Sequence, residues 1–435
     1  MKYHFIGIGG IGLSAIARYL KASGEDVSGS DICESKITKM LKDEEICVTI
    51  PHAKEAIKNQ DFIIHSAIIT KNNVEFIEAK DKNLNIMPRK EFLPHILKDK
   101  KVYSVCGAHG KSTTTAILAA ILDNSSALIG AESKAIKSNM RYSKSDLMVF
   151  EADESDGSFL NSNPYCAIVT NAEPEHMEYY DYDIKKFQQA YVDFLNIAKI
   201  RVINGEDEFL KTLDIDAIKL YPSFDIQNIE FVLRDDEPYT KFDLRDYGTF
   251  EVWGFGEHIA LDASLAILAS MNEIGLNEIK EKIKNYKGIK KRFDIIRSSE
   301  KVVLIDDYGH HPTEIEATLK SIKEYAKLKN INSIITIWQP HKYSRTLLNM
   351  SKFIECFEGS KELIILPVWS AGEECVDIDF EEKFNKYHLL MADYIQRDND
   401  KLHILKNKEV IKTLENGLII GFGAGDITTQ LRGGF

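Results

Sequence analysis

The residues best suited to chemistry lie in the run Gly107-Ala-His-Gly-Lys-Ser112. Glycines let backbone N–H groups approach phosphate oxygens, the lysine adds a mobile cation, and the hydroxyl after it can ligate magnesium. A strict phosphate loop asks for glycine five residues before Gly110, where this chain has Val105, so the run is a narrower variant. Two later stretches supply partners. Glu151-Ala-Asp-Glu-Ser-Asp156 offers carboxylates. Glu151 beside Ser112 suits Mg²⁺, which takes few carboxylates together with phosphate oxygens and water. Asp153, Glu154 and Asp156 read as a solvated acidic loop. Thr170-Asn-Ala-Glu-Pro-Glu-His176 brings a histidine that is either a second metal ligand or a structural side chain.

A second cluster, Gly7-X-Gly9-X-X-Gly12, follows a short apolar strand and opens a helix. That order either makes a tight turn or holds a pyrophosphate on the helix N-terminus. Asp31 lies about twenty residues on, where dinucleotide folds place a ribose-binding acid. His65, Ser66 and Arg89 fall at strand ends that could add polar contacts, and Arg89 could equally be a solvated charge. A third cluster, Asp306-Asp-Tyr-Gly-His-His-Pro-Thr-Glu314, has more acids and histidines than a turn requires. With Gln339-Pro-His-Lys-Tyr-Ser-Arg345 it could hold an amino acid, acids or histidines near the amine and Lys342 or Arg345 on the carboxylate. The alternative is an interdomain salt-bridge network.

These clusters need elements to present them, and the hydrophobic pattern provides strands that end where each begins. Val102 to Cys106 reads as a strand and Thr113 to Leu122 as a helix, flanking the phosphate loop. Leu147–Glu151 and Cys166–Asn171 read as buried parallel strands, whose carboxyl ends are where such folds bind ligands. Tyr3 onward gives a strand, a helix to Ser23 stopped by Gly24, and a strand ending at Asp31. Further β/α alternation follows at Asp61–Ser66 and Val74–Lys80. Phe231–Leu233, Lys241–Leu244 and Thr249–Trp253 suggest an antiparallel patch, followed by a helix from Ile259 to Met271. Val302–Asp306, Ile334–Trp338, Glu362–Leu366 and Leu418–Gly421 give strands at α/β spacing, with a helix from Pro312 to Tyr325. The expected fold is α/β in three domains. Residues 1–98 form an N-terminal Rossmann-like domain, 99–294 a central P-loop ATPase-like domain with a mostly parallel sheet, and 295–435 a C-terminal Rossmann-like domain.

Composition narrows the partners. The 435 residues are 44% hydrophobic and 28% charged, with a net charge of −12. That balance argues against nucleic acid, whose phosphates call for a basic face. No apolar run approaches the ~20 residues of a membrane helix, and the glycine-rich N-terminus lacks a convincing signal-peptide cleavage site. Six cysteines without a Cys-X-X-Cys pair read as reduced thiols, so a cytoplasmic location is expected.

The stretches Gly7–Ser14, Ser28–Asp31, Gly107–Thr114, Glu151–Asp156, Asn171–Met177, Lys291–Phe293, Asp306–Pro312, Gln339–Thr346, Pro367–Glu373 and Gly423–Asp426 follow one another in an order that resembles the motif series of the Mur ligases. The resemblance spans residues 3 to 427. It implies an ATP-dependent ligase that joins L-alanine to the carboxylate of UDP-N-acetylmuramate through an acyl phosphate, in peptidoglycan precursor synthesis. Carried over, Lys111 contacts the β/γ-phosphates, and Gly107, Ala108, His109, Gly110, Ser112 and Thr113 complete the ATP loop. Ser112 and Glu151 hold the first Mg²⁺, for which Mn²⁺ can substitute, and His176 stands by a second metal. Arg292 reaches the nucleotide phosphates. Gly9, Gly10, Ile11, Asp31, Ser66 and Arg89 hold the uridine diphosphate moiety, while His310, Lys342 and Arg345 frame the alanine. Lys111, Glu151, His176 and Arg292 form the implied catalytic set. The family also implies hinge motion near residues 99 and 294, and a monomer or homodimer.

Four positions depart from the family pattern. Ala108 and Ser112 stand where threonine is usual, and serine keeps the hydroxyl. Lys342 replaces an arginine and so loses bidentate geometry. Ile259 occupies an asparagine position and cannot hydrogen-bond an adenine edge, which leaves that task to His258 or backbone. Three rival readings are a ligase that attaches wall tripeptides to the same sugar nucleotide, a nicotinamide-dependent dehydrogenase, and a binding protein that has lost catalysis. The alanine-type motifs argue against the first. The second leaves Lys111, Glu151 and Asp306–His311 without a task, and the intact set Lys111, Ser112, Glu151 and His176 speaks against the third.

Overall fold

A computed structural model describes residues Met1 to Gly434. The chain divides into two compact units. The first comprises Met1–Gln227, Asp243–Phe250 and Leu261–Lys287, and the second Asn228–Phe242, Glu251–Ala260 and Gly288–Phe435.

The first unit holds two sheets. Strands Lys2–Ile6, Asp26–Ser30, Cys47–Thr49, Phe62–His65 and Asn85–Pro88 form a parallel sheet in the spatial order third, second, first, fourth, fifth. This is the doubly wound order, and its switch point lies between Lys2–Ile6 and Phe62–His65. The helix Ile11–Ala22 follows the first strand, and Gly24 ends it in the left-handed region with φ +95°. The second sheet has seven strands, with Lys101–Cys106 between Leu147–Glu151 on one side and Pro164–Val169 on the other. Its strands run parallel except for Ser138–Arg141, which pairs antiparallel with Ser126–Ser133. From Val102 to Cys106 this strand is buried on both faces, as a central parallel strand must be, and so reads as an apolar run broken only by Ser104. One apolar core links both sheets, from Tyr3 and Phe5 through Val102 and Phe150 to Phe187 and Leu195. Residue 99 lies within this unit, between the helix Arg89–Leu97 and the strand Lys101–Cys106.

The second unit is built on a six-stranded sheet in the order Asp294–Ser298, Val302–Asp307, Gly417–Phe422, Ile334–Trp338, Glu362–Ile365, Leu389–Met391. Only Asp294–Ser298 runs antiparallel to its neighbour. Trp338 anchors one face against Phe353, Phe357, Phe380 and Phe384. The expected patch at 231–253 is present as a three-stranded sheet over Ile226–Arg234, Glu237–Leu244 and Thr249–Trp253. Three further antiparallel strands, Tyr394–Asp398, Lys401–Lys406 and Glu409–Leu414, lie in a stretch where the sequence reading placed none. No helix among the described residues is long and apolar enough to cross a membrane.

Candidate active site

The pairing of the seven-stranded sheet explains why the loop residues and distant acids converge. Val105 is in register with Glu151, and Cys106 with Val169. The turn after Cys106 therefore emerges between Glu151 and the Thr170-Asn171 pair. Gly110 caps the helix Lys111–Ile121 with φ +80°, a left-handed conformation that side chains resist. Thr170 Oγ1 donates to the His109 carbonyl at 2.5 Å, and Asn171 Nδ2 to the same oxygen at 2.9 Å. The His109 N–H donates to Asn171 Oδ1 at 3.0 Å, so that amide of the loop is already engaged.

Ser112 Oγ donates to Glu151 Oε1 at 2.8 Å, and the Gly130 N–H to Glu151 Oε2 at 2.6 Å. The second contact needs a glycine, because a Cβ at position 130 would stand 2.4 Å from Glu151 Oε1. Burial pushes the Glu151 carboxyl above its usual range, against the pull of the Gly130 amide and Lys111. A carboxylate so desolvated, paired with a hydroxyl at a loop mouth, has the donor chemistry for a hard divalent cation. Lys111 Nζ donates to the Gly107 and Ala108 carbonyls and to Glu154 Oε1, the last at 2.9 Å. Burial works against the ammonium charge, but Glu154, with Glu151 behind it, outweighs that and holds the lysine protonated.

One expectation for this loop needs correction. Glu154 is not part of a solvated acidic run: it is 1% exposed and ion-paired with Lys111. Asp153 is half-buried, with its carboxylate accepting from the Ser155 N–H. His176 sits in the left-handed region with φ 51°, 40% exposed, and its ion-pair neighbour is Glu178 at 3.7 Å. Ser112 and Glu151 meet; His176 is not within hydrogen-bonding distance of either. The acids of its segment, Glu173 and Glu175, instead approach His109 Nε2 at 3.4 and 3.6 Å. Thr113 reaches the Tyr286 hydroxyl.

At the first glycine turn, the Gly9 N–H donates to Asp31 Oδ2 at 2.7 Å, and the Ile32 N–H to Asp31 Oδ1 at 2.8 Å. Asp31 thus folds onto the turn. Ser66 Oγ and Arg89 Nε are both buried without a hydrogen-bond partner. They stand about the same turn: a Cβ on Gly7 would lie 3.0 Å from Ser66 Oγ, and one on Gly12 3.2 Å from Arg89 Nε. Buried polar atoms normally find partners, so two orphans beside a helix N-terminus suit an anionic ligand. Gly10 caps that helix without a side-chain bond, and Ile11 is 52% exposed at its mouth.

In the second unit, the acids of the Asp306–Glu314 run are absorbed by the fold. Asp306 Oδ2 accepts from Thr428 Oγ1 and from Arg432, which also pairs with Asp294. Asp307 accepts from the Phe293 and Gly309 amides at 2.7 Å each, and burial raises its carboxyl to about 6. Asp306 thus joins a salt-bridge network, but one within a single unit rather than between domains, and Asp307 is held by backbone amides. The histidine and the cations behave differently. His310 Nδ1 lies 3.0 Å from the Tyr308 carbonyl, which only accepts, so a neutral ring carries its hydrogen there and keeps Nε2 as acceptor. Burial lowers the imidazolium to about 4, despite Glu314 nearby. His341 packs edge-on at 5.8 Å and bonds Arg345 Nη1 at 2.9 Å, aligning His310, His341 and Arg345. Lys342 takes φ 68° immediately before the helix Tyr343–Leu348. Arg292 pairs with Glu314 Oε1 at 2.9 Å.

Ile259 is buried, with its side chain against Gly254. His258 borders a cavity of about 180 Å³ lined also by Phe231, Glu257, Ala317, Lys320 and Ser321. The residues missed by sequence reasoning are Thr170, Asn171, Glu154, Gly130 and His341. Thr170, Asn171 and His341 carried a signal, each lying in a strand-end motif without an assigned role.

Comparison with known proteins follows the same order along the chain. Residues 2–101 match the family model of the Mur ligase family catalytic domain, 105–227 the Mur ligase middle domain, and 291–413 the Mur ligase glutamate ligase domain. A UDP-N-acetylmuramate–L-alanine ligase of Campylobacter curvus is 55% identical over 434 residues, covering 100% of both chains. The enzyme of the same name from Helicobacter pylori is 54% identical, covering 99% of this chain and 96% of its own. Among solved structures, the UDP-N-acetylmuramate–alanine ligase MurC of Thermotoga maritima superposes with a TM-score of 0.80 at 25% identity, over 99% of this chain and 97% of that one. A murein peptide ligase of Psychrobacter arcticus shares the fold, with a TM-score of 0.64 at 18% identity and 99% coverage of both chains.

Proposed function

The chain belongs to the Mur ligase family, and on that premise we propose that it forms the amide between L-alanine and the muramate carboxylate of UDP-N-acetylmuramate, driven by ATP. The carboxylate attacks the γ-phosphorus, giving an acyl phosphate and ADP. The alanine amine then attacks the acyl carbon, a tetrahedral intermediate forms, and phosphate leaves. The product is a peptidoglycan precursor. Phosphorylation is needed because a carboxylate is a poor electrophile until one of its oxygens becomes a leaving group.

The observation that carries this reading is the Ser112–Glu151 contact of 2.8 Å beside Lys111, in a chain matched end to end by alanine-adding ligases. We assign Lys111 to the β/γ-phosphates, where its charge offsets the negative charge that gathers at phosphorus. Ser112 and Glu151 would hold Mg²⁺, which supplies Lewis-acid stabilisation of the phosphoryl oxygens when bound. The acceptor-only Glu151 and the hydroxyl of Ser112 fit such an ion. His176, as a ligand of a second metal, is supported by the family motif alone. Arg292 is assigned to the nucleotide by the same motif argument.

Gly9, Gly10, Ile11, Asp31, Ser66 and Arg89 form our assignment for the uridine diphosphate group, supported by the orphaned Ser66 Oγ and Arg89 Nε. For alanine, Arg345 and Lys342 take the carboxylate, and His310 Nε2 accepts a hydrogen bond from the amine. A division into domains at residues 99 and 294 is supported by the change from the five-stranded to the seven-stranded sheet at the first position and by the start of the six-stranded sheet at Asp294. Six free cysteines accord with a reducing, cytoplasmic setting.

The acyl-phosphate route is tested with UDP-N-acetylmuramate labelled with ¹⁸O in its carboxylate. One label should move into the released phosphate for each amide made. Phosphate free of label would contradict the route.

A further inference from the structure

An ammonium offers three N–H donors, and the protein itself satisfies all three of Lys111. Two go to the Gly107 and Ala108 carbonyls at 2.5 and 3.2 Å, and the third to Glu154 Oε1 at 2.9 Å. The carbonyls belong to the loop that carries the lysine. Glu154 does not: it comes from the segment after the neighbouring strand Leu147–Glu151. Its carboxylate is 1% exposed, and Oε2 has no hydrogen-bond partner. A buried carboxylate served on one side only depends on its cation.

Glu154 is also held in place. Its own carbonyl accepts from the Tyr180 hydroxyl at 2.6 Å and from the Gly157 N–H at 3.2 Å. The Tyr179 ring sits so close over Gly157 that a Cβ there would lie 2.3 Å from its hydroxyl oxygen. These contacts hold the backbone of the segment beside the loop that carries the lysine. A phosphate oxygen contacting Lys111 has to displace or share one of these three acceptors, of which Glu154 alone is charged.

We propose that Glu154 is the positioning residue of the phosphate loop: it aims the Lys111 ammonium and, as a buried counter-charge, competes with phosphate for it, so that ADP is bound loosely enough to leave. The proposal rests on the reading of Gly107–Ser112 as the nucleotide loop. Glu154 touches neither reacting atoms nor the assigned metal ligands and acts through Lys111.

Calorimetric titration with ADP and magnesium tests it in the wild type, Glu154→Gln, Lys111→Ala and the double variant. Removing the counter-charge in Glu154→Gln should tighten ADP about five- to fifty-fold. The KM for ATP should fall with it, and kcat should fall as product release slows. In the Lys111→Ala background the same substitution should change ADP affinity by less than about two-fold, which a purely structural role would not produce. Glu154→Leu carries the same expectation should the glutamine variant fail to fold. ADP affinity that is unchanged or weaker in a folded charge-free variant overturns the proposal, as does a gain that persists without Lys111. A wild type that binds no ADP would instead overturn the nucleotide-loop reading itself.

Discussion

Chemistry in this chain depends on a few side chains whose neighbours fix their charge. Lys111 is held protonated by Glu154 and Glu151 in a setting where burial alone would favour the neutral amine. Replacing it by alanine should reduce sugar-nucleotide-dependent phosphate release by at least about 1000-fold, the scale of losing a preorganised charge at a phosphoryl group. The fold should survive, as checked by an unchanged far-ultraviolet spectrum. Arg345 is oriented by His341 at 2.9 Å rather than by an acid, which leaves its charge available to a carboxylate. Arg345→Ala should raise the KM for alanine about ten-fold or more while that for ATP moves less than about two-fold. Equal changes would mean that the acceptor site lies elsewhere. Lys111, Ser112 and Glu151 were legible in sequence because phosphate chemistry asks for those types at strand ends. Glu154 was not. An acidic run looks solvated, and the Tyr180 hydroxyl that fixes the backbone of this residue comes from more than twenty positions away.

At the level of elements, sheet order does the assembling. Lys101–Cys106 lies between Leu147–Glu151 and Pro164–Val169, so one strand end receives partners from both sides. Buried apolar runs ending in polar residues gave these strands away. Their spatial order is set by pairing that the sequence does not display. The strands Tyr394–Asp398, Lys401–Lys406 and Glu409–Leu414 escaped notice because charged residues interrupt their apolar positions. Gly130 shows how a neighbouring strand enters the site without a reactive side chain. Gly130→Ala would force the Glu151 carboxylate away from the 130 amide and from Ser112. Its magnesium requirement should rise about ten-fold at little change in KM for alanine, measured by titrating activity with the metal. An unaltered magnesium curve would show that Glu151 can be displaced without consequence.

Across the whole molecule, the uridine diphosphate and nucleotide assignments fall on separate sheets, which predicts separable binding. The Lys111→Ala variant should still bind UDP-N-acetylmuramate within about three-fold of wild type by calorimetry. Stability should carry the mark of His310 in the second unit. Its folded value of about 4 lies below the ordinary histidine value. Between about pH 6.5 and 4 the unfolded chain therefore takes up a proton that the folded chain refuses. Its contribution is complete above that window and is lost as pH falls through it, by about 3 kcal/mol for this one group. The thermal midpoint of His310→Gln should fall less steeply than that of the wild type between pH 6.5 and 4.5. Parallel curves would show that the ring titrates normally. Three α/β blocks could be read from the pattern of strands and helices. That the first two sheets share one apolar core could not, because the contacts join residues far apart in the chain.

The proposed reaction is activation of the muramate carboxylate by ATP for attack by L-alanine. The most direct measurement is phosphate release with ATP, magnesium and UDP-N-acetylmuramate across a panel of L-alanine, glycine, L-serine and a wall tripeptide. Release should require the sugar nucleotide and be fastest with L-alanine, one phosphate per amide formed. Release that ignores the sugar nucleotide, or that prefers the tripeptide, would contradict it.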